Sequence, residues 1–467
     1  MSDSPARPIA VIGAGWAGLS AAAELCRMGH RITLIDAAPR AGGRARQIEV
    51  GLADRRVVLD NGQHLLIGAY SASLALIHAA QVGLAGSGAA HAGKSPASDG
   101  KSMPDGLIRV PLQFDSRSLT LRQSGPGRLG LMIGFLRARG LDWRSRARMM
   151  TFTMGLATRR WRGFEGLSVT RLLGEFNQTQ QAVEQFWGPL CIAAMNTHPD
   201  QACAQTFVNI LHDSMFGAAG GSDFLIPTDD LGSLMPEPMV TALRAAGSEV
   251  SLGVATRSLA RDGSRWRVST TRGESAFDQV ILATPVWQTA RLLAPILPAG
   301  ADLLERFEQE AIQTVFLAWP ESAQVTLPTL KMLDEDPALG HYGQWLFARR
   351  PQQGLSIAAV VISVRARLDG LDNATLAKLV CDQVCRTLAL PEPLDALAVN
   401  EKRATFRCTP DRPRVEAAHI GPHALPDGLA LAGEYCYARY PGTLESAVRS
   451  GIAAARRSVV QTGSRIA

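Results

Sequence analysis

The chain has 467 residues, 46% of them hydrophobic, a formal net charge of +6 and an isoelectric point near 9.1. That much apolar material suffices for two interleaved domains and argues against disorder over most of the length. The basic excess is carried by arginine, the lysines being Lys94, Lys101, Lys331, Lys378 and Lys402; it suits an anionic cofactor, an anionic membrane or nucleic acid and does not choose among them.

Residues 8–12 form a continuous apolar run expected of a buried parallel strand, 19–27 an Ala/Leu-rich helix, and 31–35 a β-branched strand ending at Asp36. Between strand and helix lies Gly13-Ala14-Gly15-Trp16-Ala17-Gly18, with Asp36 eighteen residues beyond Gly18. In such a βαβ unit the first glycine permits the tight turn and the second lets backbone N–H groups approach a pyrophosphate. The third lets helix pack on strand, and the acid accepts from a ribose hydroxyl. The stretch before this unit, MSDSPAR, shows no charged n-region followed by an apolar h-region, so no secretory signal is expected.

At 57–66 the sequence VVLDNGQHLL places Asp60, Asn61, Gly62, Gln63 and His64 between two aliphatic segments. Asn-Gly alone would explain a turn through positive φ, but a turn has no need of Gln63 and His64. Residues 85–106 are low-complexity Gly, Ala and Ser, a loop or insertion between domains without assigned chemistry.

Residues 125–166 carry Arg128, Arg137, Arg139, Arg144, Arg146, Arg148, Arg159, Arg160 and Arg162 against Asp142 and Glu165, interleaved with Leu, Met, Phe and Trp. They read as two basic amphipathic helices, either a solvated cap or a surface for anionic lipid. The longest apolar patch, 129–136, is far short of the roughly 20 residues that span a bilayer. Residues 184–216 read as helix broken at Pro189 and Pro199, with Cys203, Phe207, Leu211 and Met215 on one face. Residues 249–285 return to β structure, as a hairpin before a buried strand, and 313–319 and 355–364 add strands. A last buried strand at 428–435 precedes a helix at 443–457. Seven cysteines without CxxC spacing, Cys381 and Cys385 one helical turn apart, point to a reduced cytoplasmic protein without a metal cluster.

Three further segments carry a resemblance. Arg40-Ala41-Gly42-Gly43-Arg44, LALAGEY at 429–435 and YPGTLESAVRSG at 440–451 resemble the flavin amine oxidase and phytoene desaturase superfamily. That resemblance implies an α/β protein, with a Rossmann-type FAD-binding domain interleaved with a mixed α+β substrate domain. The FAD-binding parts would be 1–84, 215–290 and 401–467, and the substrate parts 85–214 and 291–400. It also implies that Gly43 and Arg44 meet phosphate, that Gly433 and Glu434 meet the ribityl chain, and that Thr443, Leu444 and Ala447 open a helix aimed at the flavin. Trp16, Ala17, Ala37, Gly62, Gln63, His64 and Thr256 complete the implied cofactor contacts. Asp36 stands where glutamate is usual and Glu434 where aspartate is usual, each a change of one methylene.

Within that superfamily the chain is similar to the hydroxysqualene dehydroxylases of bacterial hopanoid synthesis, in DNGQH, FWGPLCIAAMNT (186–197), GQWLF (343–347) and EKRATF (401–406). The similarity implies that an allylic hydroxyl of hydroxysqualene or a similar C30 isoprenoid is replaced by hydride from reduced flavin. His64, Asp60, Glu434 and Tyr435 are the candidate acids, and Trp187, Phe207, Trp345 and Phe347 the candidate walls of the cavity, with core packing the competing role of each aromatic. Only one dinucleotide fingerprint is present, so the electron donor is an outside one that the sequence does not name. A protein peripheral on the inner face of the cytoplasmic membrane follows, with no nucleic-acid module. The alternatives are a polyene desaturase, an amine oxidase, for which no lysine but Lys331 falls in a plausible region, and a prenyl-chain carrier without catalysis.

Overall fold

The computed structural model describes residues 8–84, 103–125, 127–364 and 370–463. The segment MSDSPAR and most of the low-complexity stretch, 85–102, lie outside the described residues.

Strand Ile9–Ile12 pairs in parallel with Ile32–Asp36 on one side and Gln279–Leu282 on the other. Glu249–Leu252 and Leu429–Leu431 extend this parallel sheet at its two edges. Strands Ile9–Ile12 and Gln279–Leu282 are buried along their length, as a parallel sheet covered on both faces demands. Helix Trp16–Arg27, which begins three residues earlier than its composition suggests, covers one face together with the closing helix Leu444–Gly463. On the other face, a three-stranded antiparallel meander, Thr256–Asp262, Arg265–Thr270 and Gly273–Phe277, replaces the expected hairpin.

A second sheet is antiparallel, in the order Leu330–Met332, Trp345–Gln352, Leu355–Ser363, Gln309–Pro320, Asp395–Phe406. Its last strand runs unbroken through the expected domain boundary at 400, so this sheet continues to Phe406. Helix Asn373–Leu388 covers one face through Leu376, Val380 and Val384. The hairpin Gln47–Leu52 and Arg55–Asp60 covers the other, burying Leu52, Val57 and Leu59 against Phe316 and Ile357. The segment that ends in DNGQH is thereby laid across the second sheet.

A helical layer completes the fold, with Gly127–Arg137 and Trp143–Thr158 at the expected places. Their amphipathicity is weaker than expected, because the outward face of each also carries large apolar side chains. Helix does not break at Pro189. The π turn Val183–Trp187 leads directly into Gly188–Met195, and its wider hydrogen-bond spacing accommodates a residue without an N–H; the chain turns instead at left-handed Asn196. Cys203, Phe207, Leu211 and Met215 are all buried, as their common face predicts.

The two helices on the parallel sheet touch backbone to backbone. A Cβ at Gly451 would lie 2.0 Å from Ser20 Oγ and 2.1 Å from the Ala17 carbonyl oxygen, and Ser20 Oγ donates to the Val448 carbonyl at 3.0 Å. Gly451→Ala is expected to lower stability by about 1–3 kcal/mol through overpacking, read as a reduced thermal midpoint and loss of bound flavin on mild heating.

Candidate active site

The glycine turn is set by steric need. Gly13 has φ +110°, and a side chain there would meet the Ala283 carbonyl oxygen at 2.4 Å, while one on Gly18 would meet the Gly13 oxygen at 1.8 Å. Gly15 and Gly43 face each other across two loops joined by a Gly42 N–H donating to Ala14 O at 2.8 Å. A Cβ on Gly43 would sit 3.2 Å from Gly15 Cα. Gly15 opens helix Trp16–Arg27 without a side-chain cap and with no acid in the first turn. Its first N–H groups are thus left for an anion, which fits a pyrophosphate.

Asp36 accepts from the N–H of Ala14 and, at 2.7 Å, from that of Ala38; burial raises its pKa against these donors. Thr256 lies two residues after Val254, whose N–H donates to Asp36 O, and its buried hydroxyl has no hydrogen-bond partner among the described residues. A cofactor hydroxyl or ring nitrogen would satisfy it. Trp16 is buried and donates to Ala45 O at 3.3 Å, so it anchors the GGR loop from within the core. Ala17 lies at the contact with Gly451, and Ala37 is exposed.

Arg44 and Glu434, 390 positions apart in sequence, meet as an ion pair at 2.6 Å. The guanidinium also donates to the Ala404 carbonyl at 2.9 Å. The GGR loop, the Gly433-Glu434 pair and the last strand of the second sheet therefore converge. Thr443 caps the closing helix, its Oγ1 accepting from Ser446 N at 3.1 Å while Ser446 Oγ accepts from Thr443 N at 3.1 Å. Leu444 is the first residue of that helix and Ala447 lies buried one turn on.

Each residue of the run from Asp60 to His64 has a distinct task. Asp60 is buried, accepts from Leu231 N at 2.7 Å and lies 3.5 Å from the buried Arg349 guanidinium. Burial pushes its pKa up to about 7 despite that cation. Asn61 Nδ2 donates to Glu401 at 2.7 Å and to Arg44 O at 3.3 Å. Gly62 has φ +81°, and its carbonyl lies 2.9 Å from His64 Nδ1. Gln63 Oε1 and Thr314 Oγ1 are buried without hydrogen-bond partners among the described residues, Thr314 facing the open side of Gly62. These unsatisfied polar atoms fit the hydrogen-bonding edge of a flavin ring.

His64 lies deep in the protein yet keeps open surface of its own. Burial lowers its pKa to about 4, with Arg44 lowering it further and Glu401 and the Gly62 carbonyl opposing. The ring is neutral near pH 7, its Nδ1–H directed to Gly62 O and its Nε2 left as an acceptor.

Tyr435 is not aimed at this cluster. Its hydroxyl pairs with Thr289 Oγ1 at 2.8 Å inside the core, and burial raises its pKa well above the ordinary value. Trp187 and Phe207 are fully buried, Trp187 edge-on to Phe135, Phe152, Phe186 and Phe207, with its Nε1 donating to Gln178 at 2.8 Å. Packing accounts for both. Trp345 is half-buried, edge-on to Phe114 and Phe224, and Phe347 is buried near it. Leu65 and Ile67, directly after His64, pack on this same aromatic cluster, so the apolar region begins where the polar run ends. Lys331 is 3.5 Å from Asp115. Glu401, Thr314 and Arg349 escaped sequence reasoning; EKRATF pointed to the first, and no local pattern marks the others.

Residues 16–458 match the family model for flavin containing amine oxidoreductases. The chain is 28% identical over 461 residues to a hydroxysqualene dehydroxylase of Rhodopseudomonas palustris, covering 96% of this chain and 97% of the relative. It is 27% identical to one of Sinorhizobium fredii, covering 97% and 98%. In fold it is similar to cyclohexylamine oxidase from Brevibacterium oxydans, with a TM-score of 0.68, 14% identity and 98% and 100% coverage.

The His64 shift has a sign that can be measured. The unfolded state takes up a proton near pH 6.5 and the folded state only near 4, so stability is lost as pH falls through that window. Between pH 6.5 and 5 the loss from this group is about 2 kcal/mol. Asp60, whose pKa is raised to about 7, gains stability over the same window, so the His64 share is read from the difference in urea midpoints between wild type and His64→Gln, which should shrink from pH 6.5 to 5.

Proposed function

Since the chain belongs to the flavin-containing amine oxidoreductase family and is an FAD-dependent oxidoreductase, we propose that it catalyses the reductive dehydroxylation of hydroxysqualene to squalene, a step of hopanoid synthesis. The observation that carries this reading is the junction at His64, where a neutral imidazole beside the Asn61-held Glu401 carboxyl is followed directly by Leu65 and Ile67, which pack with Trp345 on the aromatic cluster. It is the environment that loss of water from an apolar allylic alcohol requires.

Bound FAD, reduced by an outside donor, supplies the hydride. The protein's part is to bind the polyene among apolar walls, orient the C–O bond and deliver one proton to the departing oxygen. His64 Nε2 accepts the substrate hydroxyl and fixes the direction of that bond. The proton is passed to the departing oxygen at Glu401, so that the alcohol oxygen leaves as water and the carbon gains hydride. An allylic cation formed in between is sheltered by Trp345 and its neighbours. Asp60 accepts from Leu231 N through Oδ1, while its Oδ2 lies 3.5 Å from the Arg349 guanidinium and makes no hydrogen bond to a described residue; Tyr435, bound to Thr289, is engaged elsewhere. Glu434 serves by holding Arg44 over the cofactor cradle. An amine oxidase reading gains nothing from Lys331, which is paired with Asp115. A bilayer-dissolved substrate puts the enzyme on the inner face of the cytoplasmic membrane as a peripheral protein. Among the described residues no helix is long and apolar enough to cross a membrane.

The test is a single turnover. Protein reduced without oxygen and mixed with hydroxysqualene in detergent should reoxidise its flavin and form squalene in equal amount. No reoxidation, with desaturation of a more saturated polyene by the oxidised enzyme instead, would favour the desaturase alternative. Glu401→Gln keeps an acceptor for Asn61 and should slow the turnover by about 10²–10⁴-fold with flavin still bound. Tyr435→Phe should change it only a few-fold.

A further inference from the structure

Helices Gly127–Arg137 and Trp143–Thr158 lie antiparallel side by side. Thr153 Oγ1 reaches Met132 Sδ at 3.8 Å near one end, and Arg146 donates to the Leu136 and Leu141 carbonyls at the other. Both bury one face in the same aromatic core, through Leu131 and Phe135 on the first helix and Met149, Phe152 and Leu156 on the second. Their opposite faces therefore point outward together.

Those outward faces are apolar at helical spacing. On the first helix Leu129, Ile133 and Leu136 fall at i, i+4 and i+7, with Leu129 73% and Leu136 53% exposed. On the second, Trp143, Ala147, Met150 and Met154 repeat the pattern, with Trp143 79% and Met154 63% exposed. Single exposed apolar residues are ordinary, but two adjoining stripes are not. Around them Arg137, Arg139, Arg144, Arg160 and Arg162 are exposed and form no ion pair with a described residue. The Asp142 carboxylate is already engaged as a helix cap, accepting from Ser145 N at 2.6 Å.

We infer that this helical pair is the surface by which the protein sits on an anionic lipid bilayer, Leu129, Leu136, Trp143 and Met154 entering the headgroup region and the free arginines binding lipid phosphate. Charge complementarity selects anionic lipid as the occupant, since the exposed arginines outnumber Asp142, which faces Arg144, and Glu165, and the apolar stripes would gain nothing from a polyanion in water. The inference rests on the proposed function only for its biological sense, a substrate drawn from the bilayer, and its test uses no substrate, so dehydroxylation can fail while it stands.

The experiment is flotation of the flavin-loaded protein with phosphatidylglycerol/phosphatidylcholine vesicles and with phosphatidylcholine vesicles. Wild type should float with the former at low salt, much less with the latter, and be released as salt rises. Neutralising Arg137, Arg139 and Arg144 together to Gln should weaken binding on the order of a hundredfold. Leu136→Ser with Trp143→Ser should weaken it about tenfold or more, because insertion is lost. In the otherwise native protein, brominated lipid should quench tryptophan emission, and Trp143→Phe should abolish most of that quenching, a readout that needs no destabilising change. Failure of wild type to float with anionic vesicles overturns the inference. Equal binding by the Leu136/Trp143 variant, or retention on nucleic acid or an acidic protein in place of vesicles, overturns it in favour of a purely electrostatic partner.

Discussion

A buried polar loop imposes the constraint on which the site depends. Of the five consecutive residues Asp60 to His64, which lie between a sheet and the glycine cradle, Asp60, Asn61 and Gln63 are buried where water does not satisfy them. Partners must come from distant parts of the chain: Leu231 and Arg349 for Asp60, Glu401 and Arg44 for Asn61. Each such bond ties a helix start or a strand of one layer to the hairpin of another. Removing one member of the buried Asp60–Arg349 pair would strand its partner without compensation, a cost of about 3–5 kcal/mol. Position within the site is thus maintained by the penalty for leaving these groups unpaired.

The cradle depends on a different economy, that of close backbone approach. Gly13, Gly18 and Gly451 lie where any Cβ would overlap a carbonyl or hydroxyl, so helix, strand and closing helix pack at backbone distance. This brings the uncapped start of the first helix to the GGR loop and turns the start of the closing helix, capped by Thr443, toward Gly433 and Glu434. The Arg44–Glu434 ion pair then closes the two ends of the chain over the same space.

Electrostatics divides the labour among the polar groups. Burial makes His64 neutral and Asp60 reluctant to ionise, in both cases because a charged form is poorly solvated there. A neutral imidazole with Nδ1–H held by a carbonyl is an acceptor at Nε2 and a poor proton donor. The carboxyl at Glu401, which accepts from Asn61 and stays partly exposed, is the acidic group beside His64 that solvent can reach.

Local order was legible in the residues themselves: the βαβ unit from its apolar runs and glycines, the two basic helices from their composition, the buried face of Ala204–Met215 from its spacing. These are properties of neighbours in the chain, where sterics and periodicity act directly. The same local view misjudges Pro189, because a π turn upstream relieves what a proline ordinarily breaks, and it does not show that the Tyr435 hydroxyl turns into the core to pair with Thr289. Which carboxyl remains free, which aromatic is enclosed and which lines open space depend on contacts across hundreds of residues. Glu401 beside Asn61, Arg349 beside Asp60 and Trp187 sealed by Phe135 and Phe152 exist only once the two sheets and the helical layer are packed. The chain's pattern determined the elements and the cofactor cradle; tertiary packing alone decided which polar groups were consumed by structure, because a buried hydrogen bond or ion pair is a relation between residues that sequence proximity does not encode.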